Sequence, residues 1–192
     1  MEISWIRIYL LFGLLLHKAV WEFMKSPPGA SAVRAKARSS KAQVLSAIKV
    51  VILLGIIAQT VLPVMLPLAE QPSAFTVPGI VLYTGGLIIA LTGRIQLGRN
   101  WTDIEKSYVK DEHRLVSHGL YHYMRHPIYT GDVLLLLGLE LALNSWFVLG
   151  VAAIAVYVRR QAIREEHKLK QSIPDYDRYC ERTARFVPFL PV

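Results

Sequence analysis

The sequence predicts an all-α integral membrane protein with about five transmembrane helices, the last two forming a hairpin. Of its 192 residues, 53% are apolar and only 19% are charged, whereas a soluble domain carries about 25% charged residues. The apolar residues fall into long blocks, and a spanning helix needs about 20 of them in a row. Short basic stretches separate the blocks. This pattern excludes a disordered chain, a disulfide scaffold and an ordinary soluble domain.

The first half of the chain predicts three spans, at residues 3–24, 50–68 and 77–93. The first is the weakest, because charged residues such as Arg7 and Lys18 interrupt it. The second contains no charge, and we expect Pro63 and Pro67 to bend or end it. The third is also uncharged and is entered at Pro78.

Residues 128–158 form a further apolar block that is too long for one span at about 1.5 Å per residue. Asn144 and Ser145 lie near its middle and are expected to form a turn. The block therefore predicts a tight helical hairpin. Asp132 and Glu140 lie inside it, where an acid is costly unless it is paired or hydrated.

The net charge is +8, and 18 of the 22 basic residues lie in three stretches, residues 25–41, 98–126 and 159–192. A path of five spans places these stretches on one side of the membrane. By the positive-inside rule they are cytoplasmic, with the amino terminus outside and the carboxy terminus inside. Because the basic charge follows the spans, it indicates membrane topology, and no nucleic-acid partner is expected.

Polar residues concentrate in two stretches, 100–129 and 159–179, that flank the hairpin and should therefore meet at its cytoplasmic end. The first contains four histidines: His113, His118, His122 and His126. The last three are spaced as on one helical face. Gly119 and Pro127 make a continuous helix there doubtful, so no metal site is expected.

The first polar stretch reads His113-x-Leu115-Val116-x-x-Gly119-x-Tyr121-x-x-x-Arg125-His126-Pro127-x-Tyr129. This motif resembles the cofactor-binding signature of isoprenylcysteine carboxyl methyltransferases. The second continues the likeness with Glu165-Glu166-x-x-Leu169, Tyr176-x-x-Tyr179 and Arg185-x-x-Pro188. Related signatures occur in membrane phospholipid methyltransferases. The resemblance implies a single membrane domain in which residues 1–98 hold three spans and residues 99–192 form the methyltransferase core.

The resemblance implies that S-adenosylmethionine binds in a cytoplasmic pocket between the loop before the hairpin and the carboxy-terminal segment. The cofactor-binding residues carried over are His113, Arg114, Leu115, Val116, Tyr121, Arg125, His126, Pro127, Tyr129, Glu165 and Glu166. His126 or Arg125 suits the cofactor carboxylate, and Glu165 suits its ammonium or ribose. Tyr121 or Tyr129 suits the adenine or the sulfonium.

The family also has an arginine about one turn before the cofactor-binding glutamate, which orients the substrate carboxylate. Four residues before Glu165 this chain has Gln161. Arg160 is the nearest preceding arginine, and Arg164 lies adjacent to Glu165. We therefore expect Arg160 and Glu165 to be the catalytic residues.

The sequence leaves three alternative functions open. The first is methyl esterification of a carboxylate on a lipidated, isoprenylcysteine-type substrate that enters from the bilayer. The second is N-methylation of a phospholipid or other lipophilic amine, with Glu165, Glu166 or Asp132 as the base. The third is a non-enzymatic membrane scaffold whose basic loops bind anionic lipid.

Overall fold

The structure, a computed structural model, describes residues 4–24, 40–62, 67–70, 73–98 and 115–190. Within those ranges the chain forms helices and no strand, which confirms the predicted all-α class. The helices are α1 (Trp5–Phe23), α2 (Ser40–Val61), α3 (Ser73–Leu97), α4 (Leu120–Tyr123), α5 (Pro127–Ala142), α6 (Val148–Ser172) and α7 (Tyr176–Arg182). Five of them are long. α1 and α3 correspond to two predicted blocks, whereas α2 begins ten residues before its block and α6 continues fourteen residues beyond the end of the last block.

The chain divides into two compact units, Met1–Met65 and Leu66–Val192. The first contains α1 and α2, and α3 belongs to the second together with the hairpin. Across the described ranges, one helix, Ala74–Leu97, is long and apolar enough to cross a membrane, and Val50–Val61 is a shorter apolar segment. The remaining spans therefore stay predictions.

A charge inside the first apolar block has a specific place in the first unit. The Arg7 guanidinium Nη1 lies 3.1, 3.0 and 2.7 Å from the carbonyl oxygens of Gln59, Thr60 and Leu62. The last carbonyls of a helix have no partner within the helix, and a cation there is favourable. Arg7 thus caps the carboxy-terminal end of α2, which ends at Val61, just before the predicted breaker Pro63.

In the second unit, α3 and α5 pack backbone against backbone. A Cβ atom added at Gly79 or Gly86 of α3, or at Gly131 or Gly138 of α5, would lie closer than 3.0 Å to backbone atoms of the facing helix. Gly85, beside Gly86, has nothing within 4 Å of such an atom. Small residues spaced two turns apart therefore let the helices approach closely, as is common between membrane helices.

The predicted hairpin is confirmed. α5 ends at Ala142, α6 begins at Val148, and Asn144 sits between them with a φ of +54°. The Asn144 side chain pairs with the backbone of Ala69, donating from Nδ2 to the carbonyl (2.7 Å) and accepting from the N–H at Oδ1 (3.0 Å). The turn is thereby fixed to the segment that precedes α3.

Candidate functional site

The approach to the hairpin is a broken helix. Gly119 has a φ of +61°, and a Cβ atom there would overlap the side chain of Gln96, whose Oε1 accepts a hydrogen bond from the N–H of Leu120 at 2.8 Å. The short helix α4 ends before Met124, whose backbone is extended. Pro127 then begins α5 at its first position, where its missing N–H is harmless.

This break separates the three histidines of the expected helical face. His118 and His122 are exposed, while His126 is 7% exposed and faces the interior. The doubt that Gly119 and Pro127 raised about a continuous helix is therefore confirmed.

At the polar end of the hairpin, buried side chains surround the carboxylate of Glu166. Arg125 donates from Nη1 to Oε2 (2.9 Å), and His126 Nε2 lies 3.0 Å from Oε1. Arg185 donates from Nε to Oε1 and from Nη2 to Oε2, both at 2.9 Å. We call Arg125, His126, Glu166 and Arg185 the Glu166 cluster. A carboxylate has about four acceptor positions, and all four are occupied.

The charge of Glu166 is stabilised by these contacts. Burial opposes ionisation, but the hydrogen bonds with His126 and Arg185 and the nearby charge of Arg125 outweigh it and lower the pKa of Glu166 to about 2. The carboxylate is therefore ionised at any physiological pH.

The cluster also joins the carboxy-terminal segment to the start of the hairpin. The N–H groups of Arg125 and His126 donate to the carbonyls of Ala184 (2.9 Å) and Arg185 (3.1 Å). The Thr130 hydroxyl donates to the carbonyl of Phe186 at 3.2 Å. Three segments distant in sequence thus meet at one carboxylate.

Glu165 faces a different flank of α6. Its Oε2 accepts a hydrogen bond from the Tyr129 hydroxyl at 2.8 Å, and the Tyr129 ring stacks on His126 with centroids 5.3 Å apart and planes at 12°. Asp132 lies near enough to act electrostatically on Tyr129. No hydrogen bond to Glu165 Oε1 is found within the part of the chain that the structure describes. Among the described residues, both oxygens of Glu166 are bound, whereas Oε1 of Glu165 is available.

Of the other predicted site residues, three lie in the described part of the chain and two lie outside it. Tyr121 is buried and donates from its hydroxyl to the carbonyl of Gly93 at 3.3 Å; burial raises the pKa of Tyr121, so it remains protonated. Leu115 and Val116 are half-buried just before α4. The remaining two, His113 and Arg114, lie outside the described residues.

Arg160 is exposed on α6. It lies five positions before Glu165, which corresponds to about 140° around the helix axis and about 7.5 Å along it. Gln161, four residues before Glu165, lies on nearly the same side of the helix. The departure seen in the sequence is therefore a real difference in the side chain next to Glu165.

Sequence reasoning missed the role of Arg185. The motif Arg185-x-x-Pro188 was noticed only as part of a resemblance, although Arg185 supplies two of the four contacts to Glu166. A signal was present, because an arginine in a segment that must return to the hairpin needs an acidic partner there.

The fold has a counterpart among solved structures. It is similar to a solved structure of the eukaryotic intramembrane Ras methyltransferase, an isoprenylcysteine carboxyl methyltransferase, with a TM-score of 0.62 over 97% of this chain and 69% of that one. The sequence identity is 16%, so this likeness concerns the fold alone.

The family follows from the sequence. The family model described as phospholipid methyltransferase matches residues 74–173, just over half of the chain, and the chain belongs to this family. Two relatives are protein-S-isoprenylcysteine O-methyltransferases B and A of Arabidopsis thaliana, 33% and 35% identical over 117 residues. The match covers 58% of this chain and 58% of each relative. The resemblance drawn from the motifs is thus confirmed.

Proposed function

We propose that this protein uses S-adenosylmethionine to methylate the carboxylate of a lipophilic, isoprenylcysteine-type substrate at the membrane. The observation that carries the proposal is the meeting of Tyr129 with Glu165, next to a saturated Glu166 cluster. The motif residues of the hairpin and of α6 thereby converge at the polar end of an apolar bundle. The relatives' names add the isoprenylcysteine substrate class.

The side chains on the Glu165 flank suit this cofactor. Glu165 has an oxygen available for an ammonium or a ribose hydroxyl, and the aromatic rings of Tyr129 and Tyr121 suit a sulfonium or an adenine. Leu115, Val116 and Pro127 would add apolar and backbone contacts. When bound, the cofactor supplies an electrophilic methyl group.

Two of the carried-over residues have a supporting role in this proposal instead of a cofactor contact. Arg125 and Glu166 support the site from behind, because their mutual contact holds His126 in place. His113 and Arg114 remain cofactor-binding candidates on the resemblance alone.

The chain itself needs to orient and shield more than to move protons. A substrate carboxylate with an unperturbed pKa of about 3.5 is already ionised at neutral pH, so no base is required. Its oxygen must be aligned with the methyl group and shielded from water. Arg160 is the proposed orienting residue, because a guanidinium grips a carboxylate through two parallel N–H groups.

The apolar helices give the substrate its route. We propose that its lipid part enters from the bilayer while the cofactor arrives from the cytoplasm, which requires the basic end of the hairpin to face inwards. The 18 basic residues in three stretches support this orientation.

N-methylation of a lipophilic amine is the second candidate. An amine must lose a proton before it attacks, so this route needs a base. Glu165 and the half-buried Asp132 lie on the flank where Gln161 replaces the expected arginine. An acidic flank without that arginine favours a cationic headgroup.

The test is methyl transfer from radiolabelled S-adenosylmethionine by the purified protein, with a farnesyl-cysteine mimic and, separately, a lipid extract as acceptors. We expect label that mild base releases as methanol, which identifies a methyl ester. Base-stable label in the lipid fraction would establish N-methylation instead. Absence of both transfer and cofactor binding would contradict either activity and leave the scaffold.

The orienting residue has its own test. Arg160→Lys should lose turnover on the farnesyl-cysteine mimic while affinity for S-adenosylmethionine is kept. Arg164→Lys, also on the exposed surface of α6, is the matched control and should keep its turnover. Wild-type turnover in Arg160→Lys with a loss in Arg164→Lys would transfer the role to Arg164.

A further inference from the structure

A cavity of about 480 Å³ lies between α6 and α7, on the other side of Glu166 from Glu165. Ile163, His167 and Lys170 line it from α6, and Cys180 and Glu181 line it from α7. The three α6 residues share one face of the helix, and Glu165 does not lie on that face. The cavity is thus separate from the flank assigned to the methyl donor.

The floor of this cavity is formed by Arg125 of the Glu166 cluster. Its side chain is 2% exposed, and Nη1 donates to Glu166. The other two nitrogens, Nε and Nη2, are buried, and neither has a hydrogen-bond partner among the residues that the structure describes. These two nitrogens form the edge of a guanidinium that grips two oxygens of one carboxylate or phosphate.

The other charges around the cavity already have partners or face water. Lys170 pairs with Asp177 at 2.6 Å, and Arg185 binds Glu166. Asp177 is 68% exposed, and Glu181 is also exposed, so solvent screens both acids. Glu166 also lines the cavity, and its charge is balanced by the partners of the Glu166 cluster. Among the described lining residues, Arg125 therefore keeps two buried donors. Their nearby acceptor is the thiol of Cys180, which accepts hydrogen bonds only weakly, and a poorly paired buried donor is unfavourable.

We propose that the cavity between α6 and α7 is a binding site for an oxyanion, a carboxylate or phosphate group seated on Nε and Nη2 of Arg125. The ligand is either a small soluble anion or the headgroup of an anionic lipid. This site is independent of the methyl transfer proposed above.

Cys180 provides a direct reporter, because it lines the cavity and is the single cysteine of the chain. Iodoacetate and iodoacetamide alkylate a thiol by the same displacement of iodide, but iodoacetate carries a carboxylate. An oxyanion site should draw the charged reagent to Cys180. Because burial raises the pKa of the Cys180 thiol, both rates are measured at one alkaline pH.

The ratio of the iodoacetate rate to the iodoacetamide rate is compared with that of a control cysteine. The control is Ser172→Cys combined with Cys180→Ser; position 172 is exposed at the end of α6. We expect the ratio at Cys180 to exceed the control ratio by roughly tenfold, as for one bidentate charged contact. Equal ratios would overturn the proposal.

Competition identifies the source of the ligand. Inorganic phosphate, added in detergent, should slow alkylation of Cys180 and leave the control cysteine unaffected if a soluble anion fits. Protection in phosphatidylcholine nanodiscs that contain phosphatidic acid, but not by inorganic phosphate, would assign a lipid headgroup. If neither protects Cys180, the proposal fails.

Arg125→Lys keeps the positive charge but removes the two-nitrogen edge, and it should lower the ratio to the control value. Its thermal midpoint is measured alongside, so that loss of the site is separated from loss of the fold. A folded Arg125→Lys protein that keeps the wild-type ratio would also overturn the assignment of the site to Arg125.

Discussion

The α3–α5 interface and the Glu166 cluster hold the second unit together in opposite ways. Between α3 and α5, the fit depends on glycines that let the two backbones touch. At the Glu166 cluster, distant segments meet because one buried carboxylate binds two arginines and a histidine. The apolar end is therefore fixed by shape and the polar end by charge.

This difference determines how each region tolerates change. The α3–α5 interface is disrupted when atoms are added, because moving the backbone of the facing helix aside costs much free energy. The Glu166 cluster is disrupted when one partner is removed, because the remaining charged groups are left buried and unpaired. Neighbouring residues in each region, Gly85 beside Gly86 and Glu165 beside Glu166, provide internal controls.

The largest effect is expected from Gly86→Leu. A side chain there must displace backbone atoms of α5, so we expect destabilisation of more than about 5 kcal/mol and no recovery of a monodisperse protein in detergent. Gly85→Leu adds the same side chain one residue away, where there is open space. Size-exclusion chromatography of both proteins checks this, and equal recovery would refute the close approach of α3 and α5.

Glu166→Gln should have the next largest effect. Removing one charge from a buried ion pair costs about 3–5 kcal/mol, so the thermal midpoint should fall sharply. Glu165→Gln loses part of one hydrogen bond with Tyr129 and should lower stability by about 1 kcal/mol or less. Thermal unfolding of the two variants decides the order, and the reverse order would move the structural role to Glu165.

The lowered pKa of Glu166 predicts a smaller effect, which is a dependence of stability on pH. The pKa of Glu166 is lowered from 4.5 to about 2 in the folded protein, so the unfolded chain binds the proton more readily. The stabilisation is present above pH 4.5 and is lost as pH falls from there towards 2. We expect the thermal midpoint to fall over this window in the wild type and to fall less in Glu166→Gln; identical slopes would contradict it.

The smallest effect is expected at the edge of the polar region. Tyr179 donates from its hydroxyl to the carbonyl of Tyr121 at 2.6 Å, and Tyr179→Phe should cost about 1 kcal/mol. The exposed Tyr157 is the matched control, since no hydrogen bond of its hydroxyl is found among the described residues. Equal thermal midpoints of Tyr179→Phe and Tyr157→Phe would show that the Tyr179–Tyr121 hydrogen bond does not stabilise the protein.

The hairpin shows what a sequence can predict. The length of the apolar block forces a turn, and Asn144 is suited to the positive φ that the turn adopts. The break between His122 and His126 was also readable, because Gly119 and Pro127 mark where helices cannot continue. These features follow from local chemistry.

The two contrasted regions were harder to predict, because each depends on segments far apart in sequence. Gly79 and Gly86 are seven residues apart, and so are Gly131 and Gly138, but nothing in the local sequence says that the two pairs face each other. Likewise, both glutamates of the Glu165–Glu166 pair were candidates, and their opposite flanks emerged only once the Tyr129 and Arg185 positions were known.

We propose that the two adjacent acids have different roles: Glu166 holds the site together, and Glu165 faces the cofactor. The most direct test is calorimetric titration of Glu165→Gln with S-adenosylmethionine, with the thermal midpoint measured on the same preparation. The account predicts a midpoint close to that of the wild type and an affinity reduced by about tenfold or more. Wild-type affinity in a folded Glu165→Gln protein would contradict it.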